Sequence, residues 1–355
     1  MKIIHTSDLH LNSPLSSKLP PAKVAERRRE LSSLLPRLAE EADRVGASAI
    51  IIAGDLFDSD RLNKKNRDRA LSVIELASHI TFFYLPGNHE RDALATGGEL
   101  PKNLVLFDKD WSYADFHGIT IAARADTAPD MFSTLSLNPA KTNIVVLHGE
   151  LRQHSDFGGV IGALDARTHG IDYLALGHYH SYSKTQLSDR TVAVYSGTPE
   201  GRGFDETGDK GYVLINIENG SLEHKFVKFA NRTLHITEID ISNAQSTYDI
   251  LRLIEEKTEG IPHKDIVRAA LTGHYRVELK KDLSAITAQL QSRFYFFEIK
   301  DDSRLYHSPE LYKNDKSLKG EFIRLVLGEE SLSQEQKERI IGFGLSALVG
   351  EAFDD

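Results

Sequence analysis

Five short motifs carry residues whose types and spacing suit metal chemistry. Asp8 and His10 form a D-x-H pair, Gly54-Asp55 a GD, Gly87-Asn88-His89-Glu90 a GNHE, His148-Gly149 an HG, and Gly177-His178-Tyr179-His180 a GHYH. Together they supply seven oxygen and nitrogen donors: Asp8, His10, Asp55, Asn88, His148, His178 and His180. One ion takes about four to six ligands and would leave some unused. Two ions sharing a bridging carboxylate use all of them, with Asp55 as the natural bridge. Open positions then remain for a water and a phosphate oxygen. Mixed imidazole and carboxylate ligation suits manganese, iron, zinc or nickel rather than magnesium or calcium. Two ions ~3.5–4 Å apart drive in-line displacement at phosphorus. His89 is left over beside Asn88. A protonated imidazole there would stabilise the phosphorane or protonate the leaving oxygen, with Glu90 holding its orientation.

Each motif directly follows an apolar run that reads as a buried strand: Lys2 to Thr6, Ala49 to Ala53, Thr81 to Leu85, Asn143 to Leu147, and Tyr173 to Leu176. In an α/β sheet the crevice beyond the strands' carboxyl ends is where ligands bind, so five segments would converge there. Glycine before a ligand lets the chain turn out of the strand and approach the site. Helical stretches at Lys23 to Val45 and Arg67 to Ala77 complete a β-α-β-α-β order, which predicts a sheet covered by helices. Pro36 is expected to kink or divide the first helix. The run Arg27-Arg28-Arg29 is flanked by Glu26 and Glu30, so a solvated helix face is expected. Hairpins are predicted to turn at His117-Gly118 and Asn219-Gly220. His5, His79 and His154, outside the motifs, are expected to be satisfied core residues.

Composition bounds the function. The chain has 355 residues, 40% of them apolar and 27% charged, an ordinary globular balance with material for about two domains. No window approaches the ~20 uninterrupted apolar residues of a membrane span. The opening MKIIHTSDLH reaches Asp8 and His10 too soon for a secretory signal, so a soluble cytoplasmic protein is expected. The absence of cysteine excludes a disulfide framework, thiolate metal sites and a thiol nucleophile. A net charge of −9 excludes coating of nucleic acid by bulk charge, though not a local basic groove.

Beyond about residue 230 the pattern changes to a compact α+β unit over 231–300. A polar linker is expected at 301–319 and a helical tail at 320–355, its second helix opened by a capping box at Ser333 and Gln336. Between Arg232 and Lys300, ten Lys and Arg, among them Lys264, Arg268, Lys280 and Lys281, face ten Asp and Glu. Any DNA groove there must come from their arrangement. The tail carries more apolar residues than two short helices can bury against each other, which argues for a partner surface.

The ordered motifs D-x-H, GD, GNH(D/E), H and GHxH resemble the calcineurin-like metallophosphoesterases. That resemblance implies a pair of facing sheets flanked by helices, an α-β-β-α sandwich, over about residues 1–230. It assigns Asp8, His10, Asp55 and His180 to one ion, Asp55, Asn88, His148 and His178 to the other, and catalysis to His89. More narrowly, HTSDLHLNSPL and the run YSGTPEGRGFDE from Tyr195 to Glu206 resemble the SbcD-type DNA repair exonucleases, most of all their YhaO-like branch. The implied function is a manganese-dependent DNA exonuclease, and endonuclease, in repair or defence. The α+β unit would be a cap that positions DNA, and the tail a dock for an SbcC-type, SMC-like ABC ATPase. A homodimer is kept open. A phosphodiesterase or phosphatase for small nucleotides, and a regulatory DNA-binding subunit, are the alternatives. Arg202, glycine-flanked within GRG, is expected to contact a phosphate or the DNA backbone.

Overall fold

The computed structural model describes residues 1–15, 19–58, 64–87, 94, 99–155, 158–276, 279–305 and 315–349. The chain divides into two units, Met1–Thr233 and Leu234–Asp355.

The first unit begins β1 (Lys2–Thr6), α1 (Pro21–Ser32), α2 (Leu34–Val45), β2 (Ala49–Ala53), α3 (Lys64–Leu76), β3 (Thr81–Leu85) and β4 (Leu104–Leu106). It continues with β5 (Ser112–Phe116), β6 (Ile119–Ala123), β7 (Asn143–His148), β8 (Glu150–Arg152), β9 (Val160–Gly162) and the single turn α4 (Ala163–Ala166). β10 (Tyr173–Gly177), β11 (Ser183–Gln186), β12 (Val192–Tyr195), β13 (Gly211–Glu218) and β14 (Ser221–Lys228) complete it. Two six-stranded sheets result, ordered β14-β13-β1-β2-β3-β4 and β11-β12-β10-β7-β6-β5. β1 to β4 run parallel in the first, as β6, β7, β10 and β12 do in the second.

Alternation along each strand explains the layers. Ala49, Ile51 and Ala53 of β2 share a core with Ile144 and Val146 of β7 and with Tyr173 and Ala175 of β10. Their neighbours Ile50 and Ile52 pack instead on Leu34, Leu35 and Leu38 of α2 and Ile74 of α3. On the far side, Val145 and Leu147 meet Met131, Phe132 and Ala166. Side chains with a period of two, buried on both faces, make an α-β-β-α sandwich. The hairpins close as the sequence indicates, with left-handed backbone at both His117-Gly118 (φ 50° and 86°) and Asn219-Gly220 (φ 51° and 80°).

Two local expectations change. The helix does divide, but at Ser33 rather than Pro36, which sits in the first turn of α2. Proline clashes with the carbonyl four residues earlier, here Ser32, and its missing N–H goes unnoticed in a first turn. In the arginine run Arg28 and Arg29 are exposed as expected, but Arg27 is not. Arg27 is buried, donating to Glu200 Oε1 at 2.9 Å and to the Gly201 carbonyl at 2.6 Å, and it also pairs with Glu30. Of the outlying histidines, His5 is buried with Nδ1 2.9 Å from the Tyr173 hydroxyl, whereas His79 lies on the surface beside Asp43.

The second unit contains β15 (Leu234–Asp240), α5 (Thr247–Lys257), β16 (Ile266–Thr272), β17 (His274–Tyr275), α6 (Leu283–Leu290), β18 (Phe296–Asp301) and β19 (Arg304–Leu305). β15, β16 and β18 form a parallel sheet in that order, and its core takes Ile250 and Ile254 from α5 and Ile286 and Leu290 from α6. Two further helices, α7 (Leu318–Gly328) and α8 (Gln334–Val349), pack through Ile323, Ile341 and Leu345. Ser333 and Gln336 exchange the hydrogen bonds of a capping box at the start of α8. Leu318, Leu325 and Phe343 remain more than half exposed. Among the described residues no helix is long and apolar enough to cross a membrane.

Candidate metal centre

The parallel strands aim their carboxyl ends at one edge of the sandwich, where the motifs stop. Asp8 and His10 follow β1, Asp55 follows β2, His148 ends β7, and His178 and His180 follow β10. Asn88, His89 and Glu90, which follow β3, lie outside the described residues.

Backbone geometry at these positions is unusual. Asp8 (φ 53°), His10 (φ 46°), Asp55 (φ 49°) and His178 (φ 104°) are four of the seven described non-glycine residues with positive φ. Such conformations cost about 1–3 kcal/mol each and persist where the surroundings over-determine them, typically at functional sites. Here hydrogen bonds between loops do so. The Asp8 amide donates to the Gly54 carbonyl and the His10 amide to the Asp55 carbonyl, both at 3.0 Å. The His178 amide donates to both oxygens of Asp8, at 3.2 and 3.1 Å. Close approach explains Gly54 as well, since a β-carbon there would meet His148 Nδ1 at 2.0 Å.

Donor atoms gather in two overlapping groups. Asp8, His10 and His180 each offer one ligand atom within 4.8 Å of the others, and so do Asp8, Asp55 and His148. Asp8 belongs to both. His178 joins neither group, although its ring lies 5.5 Å from that of His148. Asp8, Asp55, His10 and His148 are all buried.

Charge around the site is strongly one-sided. His148 Nδ1 donates to the Ala53 carbonyl at 2.9 Å, which leaves Nε2 as an acceptor facing Asp55 Oδ2 at 3.4 Å. That buried Nε2 makes no hydrogen bond among the described residues. Two acceptors facing each other require a positive charge between them, supplied by a proton or by a divalent ion. With only protons present, burial opposes the charged imidazole, but Asp55 and Asp8 outweigh it and lift the His148 pKa to about 9. His180 is also raised, chiefly by its hydrogen bond to Glu206. Burial lowers His10 and His178, helped by Arg202 and by His148 respectively, which keeps their rings available as neutral ligands. The described residues therefore fit a pair of divalent ions: hard carboxylate oxygens, imidazole nitrogens and an unanswered negative potential.

Three residues outside the five motifs support the site. Asp58 Oδ1 lies 2.9 Å from His10 Nδ1, and Glu206 Oε1 lies 2.7 Å from His180 Nδ1. Arg202 joins them, donating from Nη2 to Glu206 at 2.6 Å and approaching Asp58 with Nη1 at 3.5 Å. Burial would raise the Glu206 pKa, but His180 and Arg202 bring it down to about 2. Sequence reasoning singles out Arg202 but not the two carboxylates. Glu206, four residues on from Arg202, is the available signal.

Comparison with known proteins agrees with this geometry. A family model described as calcineurin-like phosphoesterase matches residues 1–182. The chain is 25% identical over 279 residues to the uncharacterized metallophosphoesterase YhaO of Bacillus subtilis, covering 72% of this chain and 67% of that one. The SbcD component of the SbcCD nuclease of Staphylococcus saprophyticus is 24% identical over 75% of this chain and 76% of its own. The DNA double-strand break repair protein Mre11 of Methanosarcina acetivorans is 24% identical over 74% of this chain, a match spanning only 44% of the longer relative. With its sandwich fold, its overlapping Asp and His groups and the family match over half its length, the chain is a member of the calcineurin-like phosphoesterase family.

Proposed function

We propose that this protein is a DNA phosphodiesterase that uses two divalent ions, with manganese the preferred metal, and acts as an exonuclease and endonuclease. The observation that carries the reading is the overlap of two donor groups on Asp8, with Asp55 and the orphaned His148 Nε2 facing each other in the second. Bound ions would acidify the attacking water and neutralise charge on the phosphoryl oxygens. Asp8, His10, Asp55, Asn88, His148, His178 and His180 hold them. His89, beside the ligand Asn88, delivers a proton to the leaving oxygen. The SbcD and Mre11 relatives support DNA as the substrate. Single- and double-stranded labelled DNA, incubated with manganese, tests it. Release of nucleotides is expected, and His89→Ala should slow it by about 100-fold or more while binding metal nearly as well. Cleavage of small phosphodiesters without any release from DNA would overturn the substrate.

The segment 231–300 serves in this reading as a cap that positions DNA, 301–319 as a linker, and 320–355 as the dock for an SbcC-type, SMC-like ABC ATPase. Exposed Leu325 and Phe343 support the dock. Deleting residues 320–355 should abolish capture of a purified SbcC-type ATPase and leave metal-dependent cleavage of a small phosphodiester unchanged. Loss of both would make the tail part of the fold.

A second reading, a phosphodiesterase for small nucleotides, has one observation in its favour. Arg268 is paired with Glu298 at 2.5 Å and Lys281 with Asp301 at 2.6 Å, so two of the second unit's cations are already set against carboxylates.

A further inference from the structure

An imidazole binds metal through Nε2 only when its Nδ1 holds the proton, and the acceptor on Nδ1 sets both the tautomer and the donor strength. The three histidines of the overlapping groups are not treated alike. His148 has a neutral backbone carbonyl on Nδ1, that of Ala53. His10 and His180, which share one group with Asp8, each have a carboxylate beside Nδ1: Glu206 hydrogen-bonds His180 at 2.7 Å, and Asp58 lies at an ion-pair distance of 2.9 Å from His10. These carboxylates come from distant parts of the chain, and one guanidinium spans them. Arg202 donates to Glu206 Oε1 from Nε at 3.0 Å and from Nη2 at 2.6 Å, and its Nη1 is 3.5 Å from Asp58 Oδ1. The Arg202 backbone amide also donates to Glu206 Oε2 at 2.7 Å, so the arginine fixes both oxygens of that carboxylate.

We propose that Asp58, Arg202 and Glu206 form a clamp that positions His10 and His180, and makes the ion held with Asp8 by these two the tighter of the pair. The inference rests on the two-ion reading above and deepens it. The hydrogen-bonded Glu206 carboxylate makes His180 a stronger donor than His148, whose partner is uncharged, and the negative charge of Asp58 beside His10 Nδ1 acts in the same direction. Arg202 keeps two like charges at a fixed separation and holds both rings in register with Asp8. It is a positioning residue, acting through Glu206 and Asp58, and its guanidinium is engaged inside the protein. The phosphate contact expected of it is the competing account.

Manganese binding to the metal-free full-length chain, followed by calorimetry and by the spin-resonance signal of the unbound ion, separates the two accounts. Wild-type protein should bind two ions with distinct affinities. Glu206→Gln keeps an acceptor near His180 but removes its charge, and should weaken the tighter ion by about 10- to 100-fold with the weaker one little changed. Arg202→Gln should do the same. Asp58→Asn, at a partly exposed position, should weaken the same ion and secures the test if the Glu206 variant fails to fold. Unaltered affinities in folded Arg202→Gln and Asp58→Asn proteins would overturn the clamp, even more so if Arg202→Gln lowered only DNA affinity and its salt dependence. A wild-type chain that binds no pair of ions would overturn the two-ion reading, and the clamp with it.

Discussion

Gly87 and Asp55 approach so closely that a β-carbon on Gly87 would fall 2.0 Å from Asp55 Oδ1 and 2.6 Å from the Asp55 backbone nitrogen. Neither neighbour can give way cheaply, because Asp55 is buried and its own backbone is left-handed. Gly87→Ala should therefore displace the carboxylate and strain the backbone at Asp55 as well. A displacement of about 1 Å at a catalytic centre lowers the rate by about 100-fold. Manganese-dependent cleavage of bis-p-nitrophenyl phosphate by the folded protein should fall by at least that order, and the circular-dichroism melting midpoint should drop with it. Undiminished cleavage would mean that Asp55 is not held by this contact.

Glu200 supports the fold beneath the site. It is fully buried, accepts from Arg27 at 2.9 Å and from the backbone amides of Asn231 and Arg232 at 2.7 and 3.2 Å, and lies 3.7 Å from Arg37. Glu200→Ala leaves the Arg27 charge buried without this partner, which typically destabilises by about 3–5 kcal/mol. Urea unfolding should report a loss of that size. A loss below about 1 kcal/mol would show that Glu30 and the Gly201 carbonyl suffice to hold the Arg27 charge.

His5 should make the protein acid-sensitive. Burial lowers its pKa to about 3, against an ordinary value of 6.5. The unfolded chain therefore binds a proton below about pH 6.5 that the folded chain does not accept until about pH 3, so this stability is present above 6.5 and lost as pH falls. Between pH 7 and pH 5 the loss is about 2 kcal/mol. Replacing His5 with Gln should flatten that part of the stability curve. An equally steep curve in the variant would assign the acid sensitivity to other groups.

Much of the site was legible because each ligand directly follows an apolar strand, so sequence order alone puts Asp8, Asp55 and His148 at strand ends. Periodicity separated strands from helices for the same reason. What escaped detection depends on partners far apart in the chain. Arg27 pairs with Glu200, 173 residues away, and a run of three arginines beside glutamates looks like surface. Its spacing held a clue, since Arg27 lies four residues before Leu31 and both are buried on the same side of α1. Asp58 was hidden because nothing in its neighbourhood marks it as the partner of His10. The sharing of Asp8 between the two groups, beside Asp55 Oδ2 at 4.0 Å from His10 Nε2 and 3.4 Å from His148 Nε2, depends on side-chain directions that strand order does not fix.

Anomalous diffraction from crystals of the full-length chain grown in manganese tests the paired centre most directly. Two peaks ~3.5–4 Å apart are expected, one against Asp8, His10 and His180 and the other against Asp55 and His148. A single peak at saturating manganese, or none among these residues, would contradict the account.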